Sequence, residues 1–426
     1  MKKLYICESK DEDMIKTISI ENYKSVLKLN LELGRINVFI GANGSGKSNI
    51  LEAIAMVSVH EETGKVNIET LIGKGVRVAK PTLTVSSFSG KVLAPSIKMQ
   101  VKIEEKGQVV PYKYSFCTKD ADDIYSEWSE EIETKFFSEL AIEHKKLEII
   151  KESLQQLEQT IKEMQMRSME KAKERLAILN DLYSKNSDIY IKNLTVDLFW
   201  AKRILGNYLI YSPNISALRG FSNESKKTPL GINGEGLDVL FSSFSEKQKE
   251  ELLLDCHIDW LDDVLIDNKE EYKNLGYKLG RSISNLFFVD KYMQKKNNVF
   301  SAENANEGAL FILFYLALFI SDKTPSFFAI DNIESGLNPR LCRYLMKTLA
   351  ELAKKNNKQT LITTHNPAIL DGLNLHDDEQ RLFVVSRNDE GQTKVERIKL
   401  KPEGQENIKL SDLWISGQLG GIPEMF

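Results

Sequence analysis

The sequence predicts an α/β fold: a parallel core sheet flanked by helices, joined to a mixed β-sheet and interrupted by a helical, coiled-coil-like insertion. Three observations predict it. An apolar strand, Ile36–Ile40, runs straight into the glycine-rich octapeptide Gly41-Ala42-Asn43-Gly44-Ser45-Gly46-Lys47-Ser48 and then into a helical pattern. Two more apolar strands, at residues 327–330 and 360–364, lead into an acid, Asp331, and a histidine, His365. Between the two ends, from Tyr112 to Leu205, there is neither glycine nor proline in 94 residues.

Composition bounds what such a chain does. Its 426 residues are 42% hydrophobic and 28% charged, the balance of a globular chain rather than a disordered one. That length exceeds one compact core, so two or more units are expected. A net charge of −4 excludes a whole-chain basic footprint for nucleic acid and leaves a local patch open. Cys7, Cys117, Cys256 and Cys342 lie far apart without CxxC spacing. This argues against a disulfide framework or zinc ribbon and for a reducing, cytoplasmic location. The polar N-terminus does not read as a signal peptide. The longest apolar run, residues 309–320, is too short for a membrane span and reads as a buried helix.

Taken in order, residues 14–40 alternate and then turn fully apolar, predicting two or three strands with the last one buried. Ile50, Leu51, Ile54 and Val57 fall at helical spacing after the glycine loop. Residues 82–88, 97–105 and 109–117 alternate as a β-meander, with Lys106-Gly107-Gln108 as a turn. In the insertion, Leu140, Leu147, Leu154 and Ile161 recur every seven residues, with Ile150, Leu157 and Met164 three after the last three. That a/d seam fails at Arg167-Ser168 and resumes out of phase at Ala172, Leu176, Leu179 and Tyr183. A helical hairpin, a bundle and one long helix with a stutter all satisfy the pattern. A first arm over residues 127–166 would be about 60 Å long. Residues 237–265 and 270–287 read as helices, 309–320 and 339–355 likewise, and 381–386 with 393–399 as a final strand pair. The resulting division is an N-terminal lobe at 1–120, an insert at 121–206 and a C-terminal lobe at 207–426.

The octapeptide matches GxxxxGK[ST], and its residue types follow from phosphate chemistry. Glycines let backbone N–H groups approach phosphate oxygens with no Cβ in the way. A helix starting near Lys47 aims its positive end at them. Lys47 supplies a charge for the β- and γ-phosphates of ATP, and Ser48 a hydroxyl for Mg²⁺. Asp331, at the end of an apolar strand, is the expected second metal-side group. His365 at the end of a parallel strand stands where ligands bind in open α/β sheets, as a γ-phosphate contact or a structural residue. Asp120-Ala121-Asp122 reads as a solvated acidic turn.

This trio resembles the ABC-type ATPases, in particular the branch with SMC-like, RecF-like and OLD-like (overcoming lysogenisation defect) ATPases. The resemblance rests on the P-loop with Asn49 after it, residues 331–339, Thr364-His365-Asn366-Pro367, Asn22-Tyr23-Lys24, and Leu410-Ser411-Asp412-Leu413-Trp414 with Gly420-Gly421. It covers roughly 1–120 and 206–426. Within the branch the chain is similar to stand-alone ATPases of bacterial anti-phage defence operons. The resemblance implies an ABC-type P-loop ATPase head that sandwiches ATP and Mg²⁺ between two copies, as a homodimer or higher homo-oligomer. Asn43, Gly44, Ser45, Gly46, Lys47, Ser48 and Asn49 would then hold nucleotide, with Ser48 and Asp331 on the metal.

The facing signature segment would be residues 301–308, directly before the apolar helix. Ser301, Asn306 and Gly308 are its candidate contacts, although the segment departs from LSGGQ and Asn306 also reads as a plain helix cap. Members of this family place a glutamate after the Walker aspartate. Here Asn332 stands there, with Glu334 two residues on. An amide orients water but cannot take its proton. Either Glu334 assumes that role, or hydrolysis is slow and binding itself is the signal; slow hydrolysis is the favoured expectation. OLD-like nucleases carry a Toprim domain after the ATPase, and only 61 residues follow His365. The expected function is therefore a nucleotide-gated sensor or scaffold controlling a separately encoded effector, a nuclease or toxin. The alternative is a RecF- or SMC-type repair ATPase that binds nucleic acid directly. A transporter ATPase fits less well, given the long insertion, and no membrane partner is expected.

Overall fold

The computed structural model describes residues 13–91, 95–105, 107–118, 120–130, 201–221, 229–278, 281–399 and 409–421. The heptad seam and its break at Arg167-Ser168 lie outside them.

Fourteen strands are described: β1 (Met14–Tyr23), β2 (Val26–Glu32), β3 (Ile36–Ile40), β4 (Ile97–Glu105), β5 (Gln108–Thr118), β6 (Trp128–Glu130), β7 (Ile210–Tyr211), β8 (Leu261–Ile266), β9 (Leu286–Asp290), β10 (Val299–Ser301), β11 (Phe327–Ile330), β12 (Gln359–Thr363), β13 (Gln380–Arg387) and β14 (Thr393–Ile398). They form three sheets. The central one runs β14-β13-β3-β12-β11-β7. Every neighbouring pair in it is parallel except β13 with β14. The second sheet, β2-β1-β4-β5-β6, is antiparallel throughout. The third, β10-β9-β8, is a small antiparallel sheet.

The central sheet is buried on both faces, which is why its strands read as unbroken apolar runs. The pleat sends alternate residues to opposite sides. Phe39, Ala329, Leu361 and Phe383 join one core with the Lys47–Thr63 helix and the antiparallel sheet. Val38, Ile40, Ile330, Ile362 and Leu382 join the other core with the Glu307–Ile320 helix. Every residue of that helix except Glu307 is buried, so it is apolar all round. The Pro339–Lys355 helix is amphipathic, burying Cys342, Leu345, Met346, Leu349 and Leu352. Asn338 caps it, accepting from the Leu341 N–H at 3.0 Å, and Pro339 opens it at a position where no N–H is needed.

Several expected elements differ. Residues 81–83 form a short 3-10 turn and Val85 a single bridge to Tyr23, in place of a meander strand over 82–88. Residues 128–130, expected to begin a helix, pair with β5 instead, carrying that sheet to residue 130. The expected helix 237–265 is two short helices, Leu237–Ser242 and Glu246–Asp255, followed by β8. Among the described residues of the expected helix 270–287, Glu271–Asn274 alone is helical, and the segment ends in β9. Two strands of the small third sheet, β8 and β9, thus fall in or at the end of segments expected to be helical. Among the described residues no helix is long and apolar enough to cross a membrane.

Candidate functional site

β3 ends at Ile40 in the middle of the parallel sheet, and the glycine loop emerges from its carboxyl end. Two of its glycines are required by close approach. A Cβ on Gly41, at φ 150°, would lie 2.1 Å from the Val385 carbonyl oxygen; one on Gly46, at φ 107°, would lie 2.1 Å from Thr393 Oγ1. Asn43 and Gly44 stand exposed at the crest, while Ser45, Gly46 and Lys47 are buried. Helix Lys47–Thr63 begins at once, so its free N–H groups face the loop.

The loop is tied down from behind. Thr393 Oγ1 donates to the Ser45 carbonyl at 3.0 Å and lies 2.7 Å from Ser25 Oγ. Asn49 Nδ2 donates to Ser25 Oγ at 2.6 Å. Ser25 and Thr393 stand 368 positions apart, and no sequence spacing points to the pair. On the outer side, a Cβ at Gly421 would lie 3.3 Å from Gly41 Cα, so the Gly420-Gly421 segment rests against the start of the loop.

Lys47 Nζ donates to the carbonyls of Gly41 at 2.8 Å and Ala42 at 3.0 Å. Burial pulls its pKa down to about 8, against the opposing charges of Asp331 and Glu334. Because β3, β11 and β12 are parallel, their carboxyl ends bring the acidic side of the site to the same edge. Ser48 Oγ donates to Asp331 at 3.2 and 3.3 Å to its two oxygens. Thr363 Oγ1 donates to Asp331 Oδ1 at 2.5 Å and accepts the Asn332 N–H at 2.9 Å. Asn332 sits at φ 58°, left-handed backbone that asparagine tolerates better than most residues. Beyond that turn, Glu334 Oε1 accepts the His365 N–H at 2.9 Å. The His365 ring is held below its usual pKa, by burial first and then by the Lys47 charge, against the opposing charges of Glu334 and Asp331.

Ser48, Asp331, Asn332, Glu334 and His365 are thus brought together around Lys47. The 301–308 segment is placed otherwise. Ser301 is buried and accepts from Asn304 Nδ2 at 3.4 Å. Asn306 caps the Glu307–Ile320 helix, accepting from the Ala309 N–H at 3.3 Å. Gly308 lies beside Gly336, just past Glu334; a Cβ there would be 3.5 Å from the Gly336 carbonyl oxygen. Among the described residues no hydrogen bond joins this segment to the glycine loop of its own chain. A further group lies behind the loop helix. Glu52, 1% exposed, pairs with Lys24 and with Arg77 Nε at 2.8 Å. Lys24 follows Asn22-Tyr23, but nothing in the sequence singled out Glu52 or Arg77. The expected acidic turn is as read: Asp120 Oδ1 accepts the N–H groups of Asp122 and Asp123.

A strand–loop–helix phosphate cradle facing a serine–aspartate pair defines a P-loop nucleotide-binding protein. Residues 14–370 match the model of the AAA ATPase domain family, and the chain belongs to that family. A relative from Methanocaldococcus jannaschii, "Uncharacterized protein MJECL10", is 50% identical over 90 residues, covering 20% of this chain and 41% of that one. The chain thus spans less than half the length of that curated relative. A solved SMC head bound to the C-winged helix domain of ScpA superposes with a TM-score of 0.51 at 13% identity, over 91% of this chain and 98% of that one. The fold is therefore the mixed α/β, SMC-head-like ATPase fold with several sheets.

Proposed function

We propose that the chain binds and hydrolyses Mg-ATP at the 41–48 loop, with Glu334 as the group that takes the proton of the attacking water. The observation that carries this is the convergence of Ser48, Thr363 and Asp331, with Lys47 under the combined charge of Asp331 and Glu334. The donor set fits the cofactor. Ser48 and Asp331 offer the hard oxygen ligands that Mg²⁺ would take, with phosphate and water completing its shell. Bound there, Mg²⁺ would neutralise charge on the β- and γ-phosphates.

Each residue has a stated task in this reading. Lys47 leaves two backbone carbonyls for phosphate oxygens, and loop N–H groups from 43 to 49 surround them. Thr363 fixes the Asp331 carboxylate. The turn at Asn332 carries Glu334 to the His365 N–H, and the His365 ring would meet the γ-phosphate. Asn332 serves through its backbone, so Glu334 stands in for the carboxylate that the family usually places next to the aspartate. Mg-ATP binding lost in Lys47→Ala, and hydrolysis lost with binding retained in Glu334→Gln, test the assignment. A Glu334→Gln protein with undiminished turnover would refute it.

We also propose that ATP joins two copies head to tail, each covering the other's nucleotide with Ser301, Asn306 and Gly308. What supports this is the segment's place at the N-terminus of a 14-residue helix, away from its own loop. Such a clamp fits a nucleotide-gated scaffold that controls a separately encoded effector in anti-phage defence, with the 121–206 insert between lobes 1–120 and 207–426 as the contact region. One observation favours the second reading, direct DNA binding. The β9–β10 hairpin exposes Lys291, Lys295 and Lys296 around Tyr292, which is 75% exposed with Lys291 Nζ 5.3 Å from its ring centre. Duplex binding that weakens steeply with salt and is lost on replacing these lysines would favour it.

A further inference from the structure

The Glu307–Ile320 helix touches the Asp331–Asn338 turn at more than its N-terminus. Gly336, at φ 69°, has room for no side chain because a Cβ would lie 2.5 Å from the Phe311 ring. Phe311 in turn stacks on Tyr315, ring centres 6.5 Å apart. Tyr315 is 0% exposed, and its hydroxyl has no hydrogen-bond partner among the described residues. Glu334 Oε2 is also buried with no hydrogen-bond partner among the described residues, while Oε1 is occupied by the His365 N–H. Buried polar atoms left unpaired are costly, so the donor and the acceptor each call for a partner.

We propose that Tyr315 is a positioning residue for Glu334: the two are not bonded in this structure, and when ATP closes the site the Tyr315 hydroxyl donates to Oε2 and fixes the carboxylate over the attacking water. The electrostatic link is present already. The Glu334 charge pushes Tyr315 and Cys342 upward, after burial, which is the larger cause for both. The role rests on Glu334 being the base, as argued above. It also gives the helix a second task. Its N-terminus carries Asn306 and Gly308, and Tyr315 stands two turns further along the same helix.

Tyr315→Phe removes one oxygen and tests this in the full-length chain. Loss of a hydrogen bond to a charged group predicts a kcat lower by about 10–100-fold. KM and the affinity for a non-hydrolysable ATP analogue stay unchanged. Because the hydroxyl has no partner here, the melting temperature is expected to hold or rise; a large fall would overturn the premise. In a Glu334→Gln background, adding Tyr315→Phe is expected to cost nothing more, since both act on one group. A further loss there would overturn the pairing. Full kcat in Tyr315→Phe beside a slow Glu334→Gln would refute the positioning role alone. Full kcat in Glu334→Gln would remove the base assignment and this role with it.

Discussion

Lys47 rests its ammonium on two carbonyls of its own loop, and with its pKa brought down to about 8 it titrates near working pH. Phosphate needs the charged form, so the sign is fixed: affinity for ATP is full below pH 8 and falls as pH rises through it, by about tenfold per unit at most. Titration calorimetry from pH 7 to 9.5 checks this. Lys47→Arg, which stays protonated, is expected to bind more weakly but with a flat profile. Asn332 carries a second expectation. A glutamate next to the aspartate would match the ABC-type ATPases the sequence resembles, yet the φ of 58° there disfavours it by about 1 kcal/mol. Asn332→Glu should therefore lower the melting temperature without raising kcat, and Asn332→Gly should keep both. A faster Asn332→Glu would restore the simpler view that the amide alone makes hydrolysis slow. The departure at 332 was legible in the sequence; its backbone reason was not, because a dihedral angle leaves no mark on composition.

Elements with a strong period were legible. Residues 309–320 and 339–355 fell within helices, and 327–330 and 360–364 within a residue of β11 and β12, because buried strands and long helices repeat one pattern without interruption. Residues 237–290 were misread for the opposite reason. Their elements are four to ten residues long, and short helices and strands share the same few apolar residues. The support of the glycine loop was illegible for a third reason: β14 brings Thr393 to it only after folding. Thr393→Val keeps the shape and removes the hydroxyl that holds the Ser45 carbonyl and meets Ser25. It is expected to cost about 1–3 kcal/mol, read as weaker ATP binding with little change in overall melting. Unchanged affinity would show that the loop holds its shape unaided.

For the whole molecule, assembly is the first readout. With a non-hydrolysable analogue, sedimentation of wild type should show a doubled mass, and Gly308→Asp should stay single. The nearest atoms to a Cβ at Gly308 are Asn306 Oδ1 at 3.3 Å, the Gly336 carbonyl oxygen at 3.5 Å and Leu341 Cδ1 at 3.9 Å, so the variant is expected to fold while the added charge repels phosphate. Doubling unaffected by that charge would count against the clamp. The second readout follows from β3, which lies between β12 and β13. The 201–426 fragment alone lacks the middle strand of its sheet and should be insoluble, whereas co-expression with 1–130 should rescue it and its ATP binding. The same placement bears on synthesis. A ribosome releases β3 about 320 residues before the last residues of β12. At about 5–20 residues per second the finished phosphate loop waits some 15–60 s for its neighbours. For that interval Ile36–Ile40, apolar and open on both edges, has no strand to pair with, and the nascent chain depends on chaperones or on its own antiparallel sheet to keep it from pairing with another copy.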